Sequence, residues 1–335
     1  MPHGRPSRNS IHERLAFEVS ELRSRLGGLP LPTEAEDIWT EIWYQEAHGS
    51  TAIEGNTLVL REVEILLHEG RAVGDKQLKD YLEVTGYADA AKWVYGQALE
   101  PGMWTDGSLL TLTEVRQIHQ RAMTAAWEIS PHPDAYDAES PGNWRQHNIQ
   151  QFPGGMRPPD HPDIPALMSD WVASVNTIAE ASEPIAEAIA QRHVGFERIH
   201  PFIDGNGRTG RLLTNLILVR LGYPPAIIYQ RDRDHYLAAL RRADQGDYGT
   251  LGELFARAVL NNLMRFIVPA VAGPARLVPL ESLSGPDLTI IALQNAARRG
   301  RLRAVKTRAG TWQSNRQWVD AYRTSRYASL REPRS

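Results

Sequence analysis

The segment at residues 200–211, HPFIDGNGRTGR, concentrates side chains suited to phosphate chemistry. Arg208 and Arg211 stand three positions apart in the first turn of a predicted helix, so they lie on one face of it. The amino end of a helix already carries about half a positive charge, so arginines are unfavourable there unless an anion lies between them. The pattern therefore predicts an anion site at the start of this helix.

Neighbouring residues supply the other parts of such a site. Gly205 and Gly207 let backbone N–H groups approach a ligand without side-chain obstruction. Asp204 places a carboxylate beside the positive site, where Mg²⁺ could bridge phosphate oxygens, and the imidazole of His200 suits a general base near neutral pH. Each residue alone would more often be a cap or a turn residue. Their occurrence within one short segment predicts nucleotidyl or phosphoryl transfer.

The same segment matches HxFx(D/E)GNGRxxR, the signature of Fic-domain proteins, at every defined position, and the chain resembles that family over residues 35–270. The resemblance implies an adenylyltransferase that moves AMP from Mg-ATP to a Ser, Thr or Tyr hydroxyl of a target protein, including itself. His200 would be the catalytic base and Asp204 the Mg²⁺ ligand. The implied nucleotide-binding residues are Phe202, Gly205, Asn206, Gly207, Arg208, Gly210, Arg211, Tyr236 and Asp244.

Individual roles also follow from the resemblance. Arg211 would grip the γ-phosphate and Arg208 the leaving phosphates, while Asn206 and the neighbouring glycine amides would steady the α-phosphate. Phe202 would anchor the loop in the core. Relatives that phosphorylate carry Lys where this chain has Gly207, so the resemblance favours AMP transfer.

A second short segment, STAIEGN at residues 50–56, matches the family's inhibitory pattern (S/T)xxxE(G/N) through Ser50, Glu54 and Gly55. Its place before the core resembles the class with an amino-terminal inhibitory helix. Glu54 paired with Arg211 would occupy the arginine that should receive the γ-phosphate. We therefore expect a weakly active resting enzyme.

The spacing of apolar residues predicts a mainly α fold. The resemblance to Fic-domain proteins implies a Fic-type helical bundle with a short β-hairpin flap, and the C-terminal residues resemble a small winged helix-turn-helix-like domain. Gly49 is predicted to end the second helix, which begins at residue 34. A Pro-, Gly- and Asn-rich stretch at residues 131–165 interrupts the helices. Within it, a turn at residues 153–155 predicts the flap, and the resemblance makes Ile149, Gln150 and Met156 its target-binding residues.

Four regions are predicted: an N-terminal helical region at 1–100, a Fic core at 101–270, a linker at 271–285 and a basic tail at 286–335. Residues 285–335 hold 11 Lys/Arg against 3 Asp/Glu, a net charge of +8, which leaves −11 for the rest of a chain whose total is −3. The tail resembles excisionase-like winged-helix DNA binders, with a turn at Gly300 and a wing around residues 309–310. Double-stranded DNA and a target protein are its alternative partners.

Composition narrows the function classes. Cysteine is absent, which excludes disulfides, thiol nucleophiles and thiolate zinc sites. The sequence shows neither a long apolar run nor a signal peptide, so we expect a cytoplasmic protein without a membrane partner. Two alternatives stay open beside AMP transfer: removal of AMP with Glu54 orienting water, and a DNA-binding regulator whose core only senses nucleotide. An intact His200 argues against sensing as the sole role. A homodimer, the target and the preferred nucleotide stay open.

Overall fold

The computed structural model describes residues 6–152, 156–180, 182–273, 276–307 and 310–328 and is mainly α-helical, as predicted. The chain divides into two compact units, one of Met1–Val19 with Leu31–Leu260 and one of Ser20–Pro30 with Asn261–Ser335. The predicted flap turn at 153–155 and residue 309 of the predicted wing lie outside the described residues.

The first unit holds the helices that carry the anion-site and inhibitory motifs. They are α1 (Arg8–Arg25), α2 (Glu36–Ile53), α3 (Leu60–Glu69), α4 (Leu78–Leu99), α5 (Leu112–Trp127), α6 (Ile164–Asn176), α7 (Ile185–Ile199), α8 (Asn206–Arg220), α9 (Arg233–Asp244) and α10 (Gly249–Asn262), of which α1 and α10 continue into the second unit. Helix α8 packs against α2, α4, α5 and α7, and its residues are buried from Arg208 to Val219. An amino end of a helix enclosed in this way is poorly hydrated, so charges there act strongly.

A buried carboxyl joins α2 to α8. Glu46 accepts hydrogen bonds from the Tyr87 hydroxyl at 2.9 Å, from Asn215 Nδ2 at 2.8 Å and from the Tyr95 hydroxyl. Burial raises the pKa of Glu46, and these donors oppose that rise. The second helix is therefore held against the helix of the anion site.

The prediction that Gly49 ends the second helix is wrong, because α2 continues to Ile53. A Cβ at residue 49 would collide with the backbone carbonyl of Ile228. Glycine at residue 49 is therefore explained by the close approach of the Ile228 backbone. The chain leaves the helical conformation only after Ile53, near Gly55, whose φ is 103°. Ser50 lies inside the helix instead of after it.

The long loop between α5 and α6 is held by one arginine. Arg145 is 1% exposed and donates to the carbonyls of His200 at 2.9 Å, His147 at 2.9 Å and Pro159 at 2.6 Å. In the described part of the flap, the Phe152 N–H donates to the Met156 carbonyl at 2.9 Å. The described residues before and after the flap turn do not form regular strands.

The second unit contains α11 (Val268–Val271), α12 (Ile290–Arg298), α13 (Arg316–Ala328) and an antiparallel sheet in the order β1 (Val278–Pro279), β3 (Trp312–Ser314), β2 (Val305–Lys306). Val305 pairs with Gln313, and Val278 pairs with Ser314. Part of the predicted linker is folded, because β1 lies within residues 271–285 and Leu280 is buried in this unit's core. The boundary between units falls after residue 260, not 270.

One continuous helical stretch, Gly249–Val271, is long and apolar enough to cross a membrane by those two criteria alone. However, 61% of its most apolar window is buried within the protein, which is typical of a core helix.

Candidate active site

His200 is placed by the end of α7. It is the C-cap of that helix and adopts a left-handed conformation with φ 49° and ψ 60°, while its N–H donates to the Phe196 carbonyl at 3.0 Å. Its Nδ1 lies 3.2 Å from the Glu197 carbonyl, so a proton on Nδ1 leaves Nε2 with a lone pair. Burial lowers the pKa of His200 to about 4, although the Glu197 carbonyl opposes this. The imidazole is therefore neutral at physiological pH.

The loop after His200 is fixed by Phe202 and Asn206. The Phe202 ring is fully buried and stacks on His119 with ring centroids 3.6 Å apart. The Asn206 side chain accepts from the Phe202 N–H at 3.0 Å and donates to the Phe202 carbonyl at 2.9 Å. Asn206 therefore shapes the loop that begins α8, and its contact with an α-phosphate stays a prediction.

Asp204 and Arg208 form a charged pair at the amino end of α8. Arg208 NH2 lies 3.2 Å from Asp204 Oδ1, which also accepts from the Gly205 N–H at 2.6 Å. Burial raises the pKa of Asp204, but Arg208 and the Gly205 N–H together lower it below the ordinary value. On α4, Glu83 Oε1 lies 3.2 Å from Arg208 NH1, so the buried guanidinium stands between two carboxylates.

Arg211 is held by Ser50 and Glu54 of the segment at residues 50–56. Its Nε donates to Ser50 Oγ at 2.7 Å, and its NH2 donates to the Ser50 carbonyl at 3.0 Å and to Glu54 Oε1 at 2.7 Å. A Cβ added to Gly207 would collide with Glu54 Oε1, so this carboxylate lies directly at the amino end of α8. Burial opposes ionisation of Glu54, yet Arg211 lowers its pKa. Glu54 therefore stands where the sequence predicts an anion.

A cavity of about 350 Å³ opens from this helix end. Of the predicted residues, it is lined by His200, Gly207, Arg211, Tyr236, Asp244, Glu54 and Met156. The Tyr236 hydroxyl lies 2.7 Å from His193 Nε2, and Asp244 Oδ1 accepts from Arg198 Nε at 2.8 Å. Gly210 lies behind the cavity, where a Cβ would collide with Glu197 and crowd Phe196.

A separate open groove lies on the flap side of His200. Ile149 and Gln150 line it together with Tyr136 and the His200 ring. Phe152 lies between the two spaces and contacts His200 with ring centroids 4.7 Å apart. His200 thus lines both the anion-site cavity and the groove.

Four further residues around the site were not predicted from the sequence. His119 Nδ1 accepts from the Gly142 N–H at 2.8 Å, so Nε2 carries the proton and donates to the Asp204 carbonyl at 2.9 Å. Arg145 supports the His200 carbonyl, Glu83 pairs with Arg208, and Glu197 lines the cavity. Burial raises the pKa of Glu197 to about 7, against the effect of Arg211. Of the four, only Glu197 lies beside the motif, and nothing in the sequence marks its burial.

Comparison with known proteins adds an independent finding. Residues 109–218 match the model of the Fic/DOC family. The chain is 30% identical over 277 residues to a protein adenylyltransferase Fic of Nematostella vectensis, covering 80% of this chain and 59% of that protein. The protein adenylyltransferase Fic of Drosophila virilis is 30% identical over 242 residues, which cover 71% of this chain and 46% of that protein. The chain therefore spans about half the length of these curated relatives.

Solved structures agree in fold. Fic-1 residues 134–508 of C. elegans superpose with a TM-score of 0.62 at 26% identity, covering 77% of this chain and 72% of that one. A Fic-domain-containing signaling protein of Bacteroides thetaiotaomicron gives 0.60 at 24% identity, covering 78% and 96%. These matches confirm the predicted helical architecture.

Proposed function

Because residues 109–218 match the Fic/DOC family model, we propose that the chain is a member of this family and that it transfers AMP from Mg-ATP to a hydroxyl side chain of a target protein. The observation that carries the proposal is the enclosed amino end of α8, where Gly207 and Arg211 line a cavity that has the His200 imidazole in its wall. The relatives named protein adenylyltransferase support the same reaction.

The triphosphate would bind at this helix end. The first-turn N–H groups and the arginines of α8 provide positive charge in a poorly hydrated site, which suits phosphate oxygens. Arg211 would receive the γ-phosphate and Arg208 the leaving phosphates. The adenosine would extend toward Tyr236 and Asp244, which line the same cavity.

The chemical step needs one proton transfer. Neutral His200 would take the proton of the target hydroxyl on Nε2, since Nδ1 faces the Glu197 carbonyl. The hydroxyl oxygen then forms a bond to the α-phosphorus as the bond between that phosphorus and the pyrophosphate oxygen breaks. The target hydroxyl would approach from the flap groove, which also reaches the imidazole. The products are AMP-modified protein and pyrophosphate.

Asp204 would hold Mg²⁺. Its lowered pKa keeps the carboxylate ionised, and its hydrogen bond and ion pair both use Oδ1. Among the residues the structure describes, no group of three or more acidic or histidine ligands forms a cation site. A single carboxylate such as Asp204 fits Mg²⁺, because this ion is usually bound by one or two carboxylates together with substrate phosphates and waters. The ion would neutralise charge on the phosphate oxygens.

Glu54 would keep the resting enzyme weakly active. The carboxylate accepts from Arg211 at 2.7 Å and lies against Gly207, so it competes with the γ-phosphate for the same arginine. ATP could then bind only with its phosphates displaced from the reactive position. Autoinhibition and self-modification are both parts of this proposal.

The test uses the Glu54→Gly protein with lysate and ATP labelled on either the α- or the γ-phosphate. AMP transfer predicts protein label from α-labelled ATP alone, and the Glu54→Gly/His200→Ala double variant should give none. Label from γ-labelled ATP would instead indicate phosphorylation. If Glu54→Gly transfers no label and has lost an ability of the parent protein to remove AMP from modified protein, Glu54 serves AMP removal.

A second candidate function concerns the C-terminal unit, for which double-stranded DNA is the proposed partner. Helix α12 buries Leu293, Ala296 and Ala297 and exposes Gln294, Asn295 and Arg298 on its other face. Arg, Asn and Gln are the side chains that most often read base edges in the major groove. The hairpin that follows the helix exposes Lys306.

A further inference from the structure

We propose that Glu83 is a positioning residue of the nucleotide site, which holds Arg208 and, through Asn56, the segment that carries Glu54. The inference rests on the proposed function and adds to the Arg211–Glu54 contact a second point at which the inhibitory segment is fastened. Glu83 lies on α4, far in sequence from both motifs.

The first half of the inference is the ion pair of Glu83 with Arg208. Glu83 Oε1 lies 3.2 Å from Arg208 NH1, and the two side chains are only 12% and 4% exposed. The other branch of the guanidinium, NH2, lies 3.2 Å from Asp204 Oδ1. A guanidinium this buried needs compensating charge. If Asp204 binds Mg²⁺, as proposed, Glu83 would be the carboxylate that still orients Arg208.

The second half is a hydrogen bond from the inhibitory segment. Asn56 is 6% exposed, and its Nδ2 donates to Glu83 Oε2 at 3.1 Å and to the Asp80 carbonyl at 2.8 Å. Its Oδ1 accepts from the Leu58 N–H at 3.1 Å. Asn56 follows Glu54 by two residues, so its contacts with α4 fix the backbone that places Glu54 on Arg211.

Asn56 and Glu83 should affect AMP transfer by different routes. Loss of Asn56 can activate the enzyme only by releasing Glu54 from Arg211, so activation by this change should require Glu54. Glu83 reaches the active site through Arg208, so its loss should matter with or without Glu54. This difference distinguishes a residue that holds Glu54 in place from one whose loss only lowers the stability of the fold.

The experiment compares Glu83→Gln and Asn56→Ala in the native chain and in the Glu54→Gly chain. Transfer from α-labelled ATP and the Kd of Mg-ATP by calorimetry are measured, with thermal unfolding as a check. Asn56→Ala should raise transfer several-fold in the native chain and should not raise it in Glu54→Gly. Glu83→Gln keeps the acceptor for Asn56 but loses the charge, so the Kd of ATP in Glu54→Gly should rise about tenfold, as expected for loss of a coupled contact.

Two further variants keep the test decisive. Asn56→Asp retains the acceptor for Leu58 but brings a negative charge onto Glu83, so it should also activate the native chain; it replaces Asn56→Ala if that variant is poorly folded. Glu64→Gln removes a charge from the exposed pair with Arg61 on α3 and should leave the Kd unchanged.

Either of two results would overturn the inference: equal activation by Asn56→Ala with and without Glu54, or an unchanged Kd of ATP in Glu83→Gln. If no variant transfers AMP, the proposed reaction fails, but the ATP titration still decides the role of Glu83.

Discussion

At the scale of single residues, His200 shows how position and protonation are set together. A left-handed conformation costs a non-glycine residue about 1–2 kcal/mol, and here it is held by Arg145, which donates to the His200 carbonyl, and by the hydrogen bond to Phe196. The same turn brings Nδ1 to the Glu197 carbonyl, which leaves Nε2 as the proton acceptor. One backbone conformation therefore both aims the ring and selects its tautomer.

The proposed role of His200 as a general base leads to two expectations. His200→Ala in the Glu54→Gly chain should abolish AMP transfer and leave the Kd of ATP within a few-fold, because a general base acts mainly in the transition state. Because the pKa is lowered to about 4, the ring stays neutral at lower pH than an ordinary histidine. Any loss of kcat/KM caused by protonation of His200 should therefore appear only near pH 4. A loss near pH 6.5 would contradict the assignment of this ring.

Glu197 should make stability depend on pH. Its pKa is raised to about 7 by burial, whereas the unfolded chain has the ordinary value of 4.5. The unfolded state therefore releases this proton first, and the fold loses stability as pH rises from 4.5 to 7, by an amount on the order of 3 kcal/mol. Glu197→Gln mimics the protonated form, so it should raise Tm relative to the parent more at pH 8 than at pH 5. An equal shift in Tm at both pH values would contradict this prediction. Glu128→Gln, at an exposed position, is the control for removal of a charge.

At the scale of elements, the site depends on how closely α2 approaches its neighbours. Glu46 fastens α2 to α8, and Gly49 allows the helix backbone to touch the chain at Ile228. Ser50 and Glu54 follow within the next turn and a half and reach Arg211. The Glu54–Arg211 contact is thus a consequence of helix packing as well as of the motif itself.

Gly49→Ala should therefore destabilise the first unit, even though alanine favours helices. The new Cβ would overlap the Ile228 carbonyl, a backbone atom that cannot rotate away, and such overpacking typically costs about 1–3 kcal/mol. Urea unfolding of the full chain measures the change. Gly96→Ala on α4 is the matched control, because a Cβ there meets nothing within 4 Å and should be neutral or stabilising. Equal stability of the two variants would contradict the packing explanation.

The sequence predicted the parts of the site that are local in the chain. The twelve residues from His200 to Arg211 carry their own geometry, because a helix end, a glycine turn and the next helix place them together. The Glu54–Arg211 contact was also predicted, but through the family resemblance. Glu83, His119 and Arg145 were not, since each reaches the loop from a distant segment and carries no local pattern. Gly49 was misread because glycine signals a helix end and a close approach equally well.

At the scale of the whole molecule, charge is divided along the chain. Residues 285–335 carry +8 and the remainder carries −11. A polyanion would be attracted to one part and repelled by the other, so any nucleic-acid binding should be confined to the C-terminal unit. Within the described residues of that unit, Arg298, Arg301 and Lys306 are exposed around α12 and the hairpin that follows it.

The last prediction tests this surface in the full chain. If Arg298, Arg301 and Lys306 meet DNA phosphates, replacing all three by Ala should weaken duplex binding at low salt and reduce the slope of log K against log salt by about 3. Gel shifts over a range of salt concentrations measure both.

The control replaces three exposed arginines of the first unit, Arg61, Arg71 and Arg231, by Ala, which removes the same charge but should leave the slope unchanged. A fall in slope in both triple variants would show only a general charge effect. If the native chain does not shift duplex DNA even at low salt, while the C-terminal triple variant labels fewer lysate proteins and still modifies itself, the unit selects a protein target instead.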